Sequence, residues 1–309
     1  MTATCSEVAA LLGEGTAGTA SRIRSFVLVE HPGPWGWTTR EDVFADLLGP
    51  ARWAELRELW VEHDLRPLLV RRHGRQPAAA GPARVLVGST APADPWVETT
   101  DVDGLRSLDL EALAAGRPGH GTRHDGPLLL VCTNGAVDRC CAVRGRPLAA
   151  ALSAAHPDHV LESTHLGGCR FAANLLVLPS GEMHGRLTPE QGLAVAAEAL
   201  AGRPSPDLPG WRGRTTASSW AAVAEDAVRR RLPDAAPGSV TALGERLHDD
   251  VVDGEEGPEP AGCDVDVATP DGTWRVVVRA RVVAPGATLC DEDDAVPYAV
   301  PVVAELAPA

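Results

Sequence analysis

The amino-acid sequence predicts an α/β fold in three parts: an N-terminal α/β domain over residues 1–118, a central unit over 119–203, and a small α+β region of helix plus β-hairpin over 204–309. Three observations carry this prediction. Short apolar runs of strand length, such as RPLLVRR (66–72) and GPLLLVC (126–132), are bounded by Pro and Gly. Longer stretches with helical spacing alternate with them, as in residues 41–63 and 144–156. Two polar, Pro/Gly-rich breaks, GRPGHGTRHDG (116–126) and RPSPDLPG (203–210), divide the chain, the first of them reading as a linker.

In order along the chain, residues 25–38 read as a strand running into a Pro/Gly turn, HPGPWG. Residues 41–63 are helical in pattern, with an interruption at Gly49-Pro50. Two more strands follow at 66–72 and 83–89. The central unit opens with a buried strand that ends at Cys132, followed by an Ala-rich helix over 144–156, a strand HVLEST (159–164) and a loop HLGGCRFAAN (165–174). LLVLPSGEMHGRL (175–187) reads as a hairpin turning on Pro-Ser-Gly. TPEQGLAVAAEALAG (188–202) is a helix capped by Thr188, with Pro189 in its first position and Glu190 in its first turn. That order, β-α-β-β-α, is roughly of the thioredoxin type. Beyond it, WAAVAEDAVRRRL (220–232) reads as a helix, residues 252–262 as an acidic loop, and 263–269 with 273–283 as a hairpin across Pro-Asp-Gly. No internal repeat is visible in the sequence.

Composition narrows the function. Hydrophobic residues make up 44% of the 309 and aromatics 4%, so the core must be built of Ala, Val and Leu. No apolar run is long enough to span a membrane, and the N-terminus lacks the basic and apolar regions of a signal peptide, which places the protein in the cytoplasm. A net charge of −14 argues against nucleic acid as a partner. All 28 basic residues are arginine, which excludes chemistry that needs a phosphate-loop or Schiff-base lysine. Seven cysteines, an odd number, do not suggest a secreted disulfide framework.

The cysteines cluster. CTNGAVDRCC (132–141) holds Cys132, Cys140 and Cys141, and His165-Leu-Gly-Gly-Cys169 places two soft ligands four residues apart. Both groups sit at strand ends, where loops can converge. Thiolates favour zinc, Cu(I) or an iron–sulfur cluster, and the spacing does not choose among them. It is not the C-x2-C pair of zinc ribbons. Cys140 reads as a packing neighbour, while Cys5, Cys263 and Cys290 are too dispersed to join a site and read as free thiols. Asn174 is a candidate brace for the second loop, His184 a packing or surface residue, and Trp35, Trp37, Trp53 and Trp60 core anchors. Arg139, Arg144 and Arg146 lie either near the site or on a solvated helix start.

CTNGAVDRCCAVRGRPLAAAL, followed by THLGGCRFAANLLVLPSGEMHGRLTPEQ, resembles the sucrase/ferredoxin-like family and is similar, more distantly, to the thioredoxin-like [2Fe-2S] ferredoxins. GTASRIRSFVLVEHPGPWG and RGRTTASSW resemble the family too, so the likeness spans most of residues 5–220. The resemblance implies a thioredoxin-like ferredoxin domain with a [2Fe-2S] cluster on Cys132, Cys141, His165 and Cys169. Cys141 rather than Cys140 is implied because Asp138 matches the family's aspartate three residues before its second cysteine. Some members carry H-x-G-G-H where this chain has His165 and Cys169, so the implied set is Cys3His. The implied activity is one-electron transfer with a redox partner protein, a reductase or an acceptor, rather than catalysis on a substrate of its own. Reduction is expected to be proton-coupled through His165. The rival readings are a structural zinc domain on the same ligands and a thioredoxin-like thiol oxidoreductase using Cys140 and Cys141.

Overall fold

SFVLVE is apolar at nearly every position, the signature of a strand buried on both faces, and it forms β1 (Ser25–Glu30) at the heart of the large sheet. The computed structural model describes residues 4–74, 83–91, 93–203, 207–232, 235–236, 238–254, 257–286, 290 and 296–309. After helix α1 (Cys5–Leu11), β1 leads through α2 (Thr39–Leu48) and α3 (Pro50–His63) to β2 (Leu65–Arg71), β3 (Val85–Ser89) and β4 (Trp96–Thr100). The expected interruption at Gly49-Pro50 is present: Gly49, at φ +76°, ends α2, and Pro50 starts α3. Helices α4 (Val102–Ser107) and α5 (Leu110–Ala114) and a short edge strand β5 (Thr122–Arg123) complete this half.

The central unit runs β6 (Leu128–Cys132), α6 (Arg139–Ala155), β7 (Val160–Ser163), β8 (Leu175–Leu178), β9 (Glu182–His184) and α7 (Pro189–Leu200). Thr188 and Gln191 close a capping box at the start of α7. Strand β10 (Trp211–Arg214) then adds to β9.

All ten strands form one sheet, in the order β10-β9-β8-β6-β7-β2-β1-β3-β4-β5. The sequence division at 118/119 does not interrupt it. Within the sheet the topology occurs twice. β1 and β2 are parallel across a helical crossover, with β3 antiparallel to β1 and β4 to β3. β6 and β7 are likewise parallel across α6, with β8 antiparallel to β6 and β9 to β8. The two units meet edge to edge through antiparallel β2 and β7. The seam is fixed by buried Glu162, whose carboxylate accepts two bonds from Arg71 (2.8 and 2.9 Å) and one from Thr133 (2.9 Å) and lies 2.7 Å from His73 Nδ1.

Alternation along the strands splits the core by face. Val27 and Val29 pack under the first unit's helices with Phe44, Trp53 and Leu56, and Leu129 and Val131 pack under α6 and α7. Phe26, Leu28, Leu128, Leu130 and Cys132 point to the opposite face, which both units share and where Cys5, Cys140, Cys141 and Cys169 also lie. Trp35 and Trp53 are core residues as expected, but Trp37 is 66% exposed and anchors nothing. Residues 116–126 are not a free linker: Glu98 accepts the N–H groups of Gly119 and His120, and Thr122–Arg123 pairs with β4.

Helix α8 (Ser219–Arg231) packs on a second, antiparallel sheet of β11 (Thr241–Leu247), β14 (Gly262–Thr269), β15 (Gly272–Gly286) and β16 (Val296–Pro308), in the order β11-β14-β15-β16. The expected hairpin is its β14–β15 pair, so the C-terminal region holds more strand than expected. The expected acidic loop is largely a hairpin of β12 (Val251–Gly254) and β13 (Gly257–Pro260); Glu255 and Glu256 lie outside the described residues. No helix among the described residues is long and apolar enough to cross a membrane.

Gly145 lets α6 lie directly on β6: a Cβ there would collide with the Cys132 carbonyl oxygen. Alanine usually stabilises a helix over glycine, so a Gly145→Ala variant inverts the rule. We expect it to cost about 1–3 kcal/mol in denaturant unfolding; a variant as stable as the parent would refute this close approach.

Candidate metal centre

Strand β6 delivers Cys132 to its buried C-terminal end, and Asp138 starts α6 six residues later, its Oδ1 accepting the Cys140 N–H at 2.6 Å. This cap fixes the first turn of the helix. Successive helical residues point about 100° apart, so Cys140 and Cys141 face different neighbours. On the other side, Gly167 (φ +95°) and Gly168 (φ +70°) take the left-handed conformation that glycine favours. They turn the chain sharply so that Cys169 opens a single 3-10 turn. Side chains there would strike Ser21 and the Arg212 guanidinium. Asn174 braces this loop as expected, donating to the Gly168 carbonyl at 2.9 Å.

The structure brings Cys132, Cys141, His165 and Cys169 together. The donor atoms of Cys132, Cys141 and His165 lie within 4.8 Å of one another. Cys169 joins them, its Sγ 3.6 Å from Cys141 Sγ and 3.5 Å from His165 Nδ1. The three thiols are buried and the imidazole is half-buried. Such a group can hold a metal ion. Without one, its thiols stay protonated. The bond with Cys141 and then burial push the Cys132 thiol well up. Cys141 is pulled down by Cys132 but pushed further up by Cys169 and burial, and Cys169 is raised by burial against the opposing bond from Cys141.

Behind the Gly-Gly turn lies Arg212, 1% exposed. It donates to the Gly167 carbonyl (3.1 Å), Asn174 Oδ1 (2.9 Å) and Thr19 Oγ1 (3.0 Å). Among the described residues no carboxylate pairs with it. Burial first, then the charge of Arg170, lowers its guanidinium to about 9, while Cys169, Cys141 and Cys132 favour its charged form. Arg66 flanks the other side: it donates to the His165 carbonyl at 3.1 Å, and burial lowers it to about 10. Buried charge is costly unless compensated. Two cations beside these thiols match a centre that becomes negative when its thiols ionise; the buried Asp138 carboxylate also lies within 4.8 Å of the Cys141 and Cys169 sulfurs, and the residues present fit a thiolate-bound metal group.

A model of the sucrase/ferredoxin-like family matches residues 16–213, about two thirds of the chain. The chain belongs to this family. Neither the curated proteins nor the solved structures contain a match to it.

In this sucrase/ferredoxin-like protein the matched segment holds all four candidate ligands and also Arg66 and Arg212, which the sequence reading did not single out. Arg212 lies more than forty residues past Cys169 in the chain, and only the pairing of β10 with β9 brings it back. His184 is a packing residue: it is buried, its Nδ1 lies 3.0 Å from the Pro209 carbonyl, and burial lowers it to about 4. Arg144 bonds Ser6 (2.8 Å) and Glu7 (3.3 Å) on α1 and does not reach the centre. The expectation that Cys5 and Cys290 stand apart is corrected. Both meet Cys140, at 3.5 and 3.2 Å between sulfurs, because α1 and Cys290 lie against the start of α6. Cys263 remains apart, in the core of the second sheet.

Proposed function

We propose that this protein is a one-electron carrier whose [2Fe-2S] cluster is held by Cys132, Cys141, His165 and Cys169. The observation that carries the reading is buried Arg212, unpaired with any described carboxylate and set against the thiol group, together with membership of a ferredoxin-like family. When bound, the cluster supplies a one-electron couple shared by two irons.

The chain's own residues do the rest. Gly167 and Gly168 shape the loop, and Asn174 and Arg212 hold its carbonyls in place. Burial of Cys132, Cys141 and Cys169 excludes water from the sulfurs. His165, the half-buried member, is the edge nearest solvent and so the side where a redox partner exchanges electrons. Its ring also offers the nitrogen at which a proton can be held on reduction. A midpoint potential unchanged from about pH 6 to about pH 10 would count against that linkage.

Anaerobic purification of the full chain tests the reading. Two irons and two sulfides per chain, with visible absorption bleached by dithionite, are expected. A colourless protein with stoichiometric zinc would overturn it in favour of a structural zinc domain. The thiol-oxidoreductase alternative loses its Cys140–Cys141 pair, because the two sulfurs turn to different groups. Replacing Arg212 by glutamine is expected to lower the midpoint potential, since a positive charge that favours the reduced state is removed, and to weaken metal retention roughly 10- to 100-fold. An unchanged potential in a folded, loaded variant would remove Arg212 from this role.

A further inference from the structure

We propose that Cys5, Cys140, Cys290 and Asp138 form a second metal site, adjoining the first at Asp138, which also comes within 4.8 Å of the Cys141 and Cys169 sulfurs, and that it takes zinc. The proposal does not depend on which metal the first centre holds. Three segments far apart in sequence converge here: α1 supplies Cys5, the first turn of α6 supplies Cys140, and the C-terminal segment supplies Cys290. The sulfur separations are 3.5 Å (Cys5–Cys140), 3.2 Å (Cys140–Cys290) and 3.6 Å (Cys5–Cys290). In a tetrahedral zinc site with Zn–S near 2.3 Å, ligand sulfurs stand about 3.8 Å apart. Closing the trio on zinc therefore opens the edges by about 0.2 to 0.6 Å.

Asp138 completes the set. Its donor oxygen lies within 4.8 Å of all three sulfurs, and its Oδ2 is 3.5 Å from Cys5 Sγ. The carboxylate is 2% exposed and forms no ion pair with an arginine or histidine among the described residues. Its own bonds are to the N–H groups of Cys140 (2.6 Å) and Cys290 (2.8 Å), which aim it into the group without neutralising it. A buried carboxylate among these three thiols and near the sulfurs of Cys141 and Cys169, all poor hydrogen-bond partners, lacks a cation. Three thiolates and one carboxylate in a four-cornered group suit a structural zinc ion. Cys5 and Cys140 are buried while Cys290 is partly exposed, which leaves an entry side for the metal.

The same residues explain what the site would do. Zinc would tie the N-terminal helix and the C-terminal segment to α6 one residue before Cys141, closing the face on which the first centre lies.

The test uses the full chain purified with zinc present, metals counted element by element. One zinc per chain beyond the metal of the first centre is expected. Cys5→Ser and Cys290→Ser should each lose that zinc and keep the first centre's metal. Peptide-level alkylation of the parent protein gives a measurement that needs no variant: Cys5, Cys140 and Cys290 should resist alkylation when zinc is present and react after mild chelation. No additional zinc in the parent, zinc retained by both variants, or a Cys140–Cys290 disulfide found by mass spectrometry would each overturn the proposal.

Discussion

A Cys141→Ala variant is expected to lose the metal of the first centre altogether, and a Cys140→Ala variant to keep it. The two residues are adjacent, so composition, local flexibility and helix capping are nearly the same for both. They differ in direction. The Cys141 sulfur lies within 4.8 Å of the donors of Cys132 and His165 and 3.6 Å from Cys169, which makes it the common neighbour of the group. The Cys140 sulfur is turned away toward Cys5 and Cys290. Losing Cys141 removes one of the four candidate protein ligands, whereas losing Cys140 removes none of them. Iron per chain and visible absorption measure the outcome. Equal loss in both variants, with both folded, would mean that the two thiols are interchangeable and that the helix start does not sort them. Zinc must be counted separately, because Cys140→Ala removes a ligand from the second site.

The second large effect is on stability. Glu162→Ala is expected to destabilise the fold by about 3–5 kcal/mol, because it removes the carboxylate that Arg71, His73 and Thr133 share at the seam and leaves the Arg71 charge there uncompensated. Glu162 is 4% exposed, while Arg71 keeps partial contact with water, which sets the lower end of that range. Burial opposes the charge of Glu162, but the bonds from Arg71, His73 and Thr133 outweigh it and hold the carboxyl below its ordinary value of 4.5. A group whose folded value is depressed stabilises the protein above its unfolded value, and that contribution is lost as pH falls through the folded one. Stability of the parent should therefore be full above about pH 4.5 and decline below it, and the Glu162→Ala variant should show a shallower acid limb. Urea unfolding across that range measures both. A variant within about 0.5 kcal/mol of the parent would show that the seam is held by backbone pairing alone.

What could be read from the sequence was what is local. The strand ending at Cys132, the capped helix at Thr188 and the turn at His165-Leu-Gly-Gly-Cys169 each carry their signal within a few residues, and the four candidate ligands meet because those short elements are neighbours in one unit. What escaped depends on pairings across long separations. Arg212 arrives only when β10 joins β9, and Cys5 and Cys290 come from opposite ends of the chain. Glu162 looks like an ordinary polar residue in HVLEST until β7 is set against β2. Residues 116–126 have the composition of a linker, and it is the buried carboxylate of Glu98 and the pairing with β4 that bind them. The repeated topology left no trace in the sequence because a strand order can be kept while side chains diverge.

That repetition makes the chain, in effect, a dimer written into one polypeptide. Each unit's second strand would be an open edge by itself, ready to pair with a stranger, and the covalent neighbour closes it for good. The two halves differ in contacts at the same position in the scaffold, the loop that follows the first strand. In the second half that loop begins at Cys132 and leads to the thiols of α6. In the first half it is the HPGPWG turn, where the Gly33 carbonyl and the Trp35 ring hold Arg71 against Glu162. One copy of the loop leads to candidate metal ligands, and its counterpart clasps the seam that joins the two units.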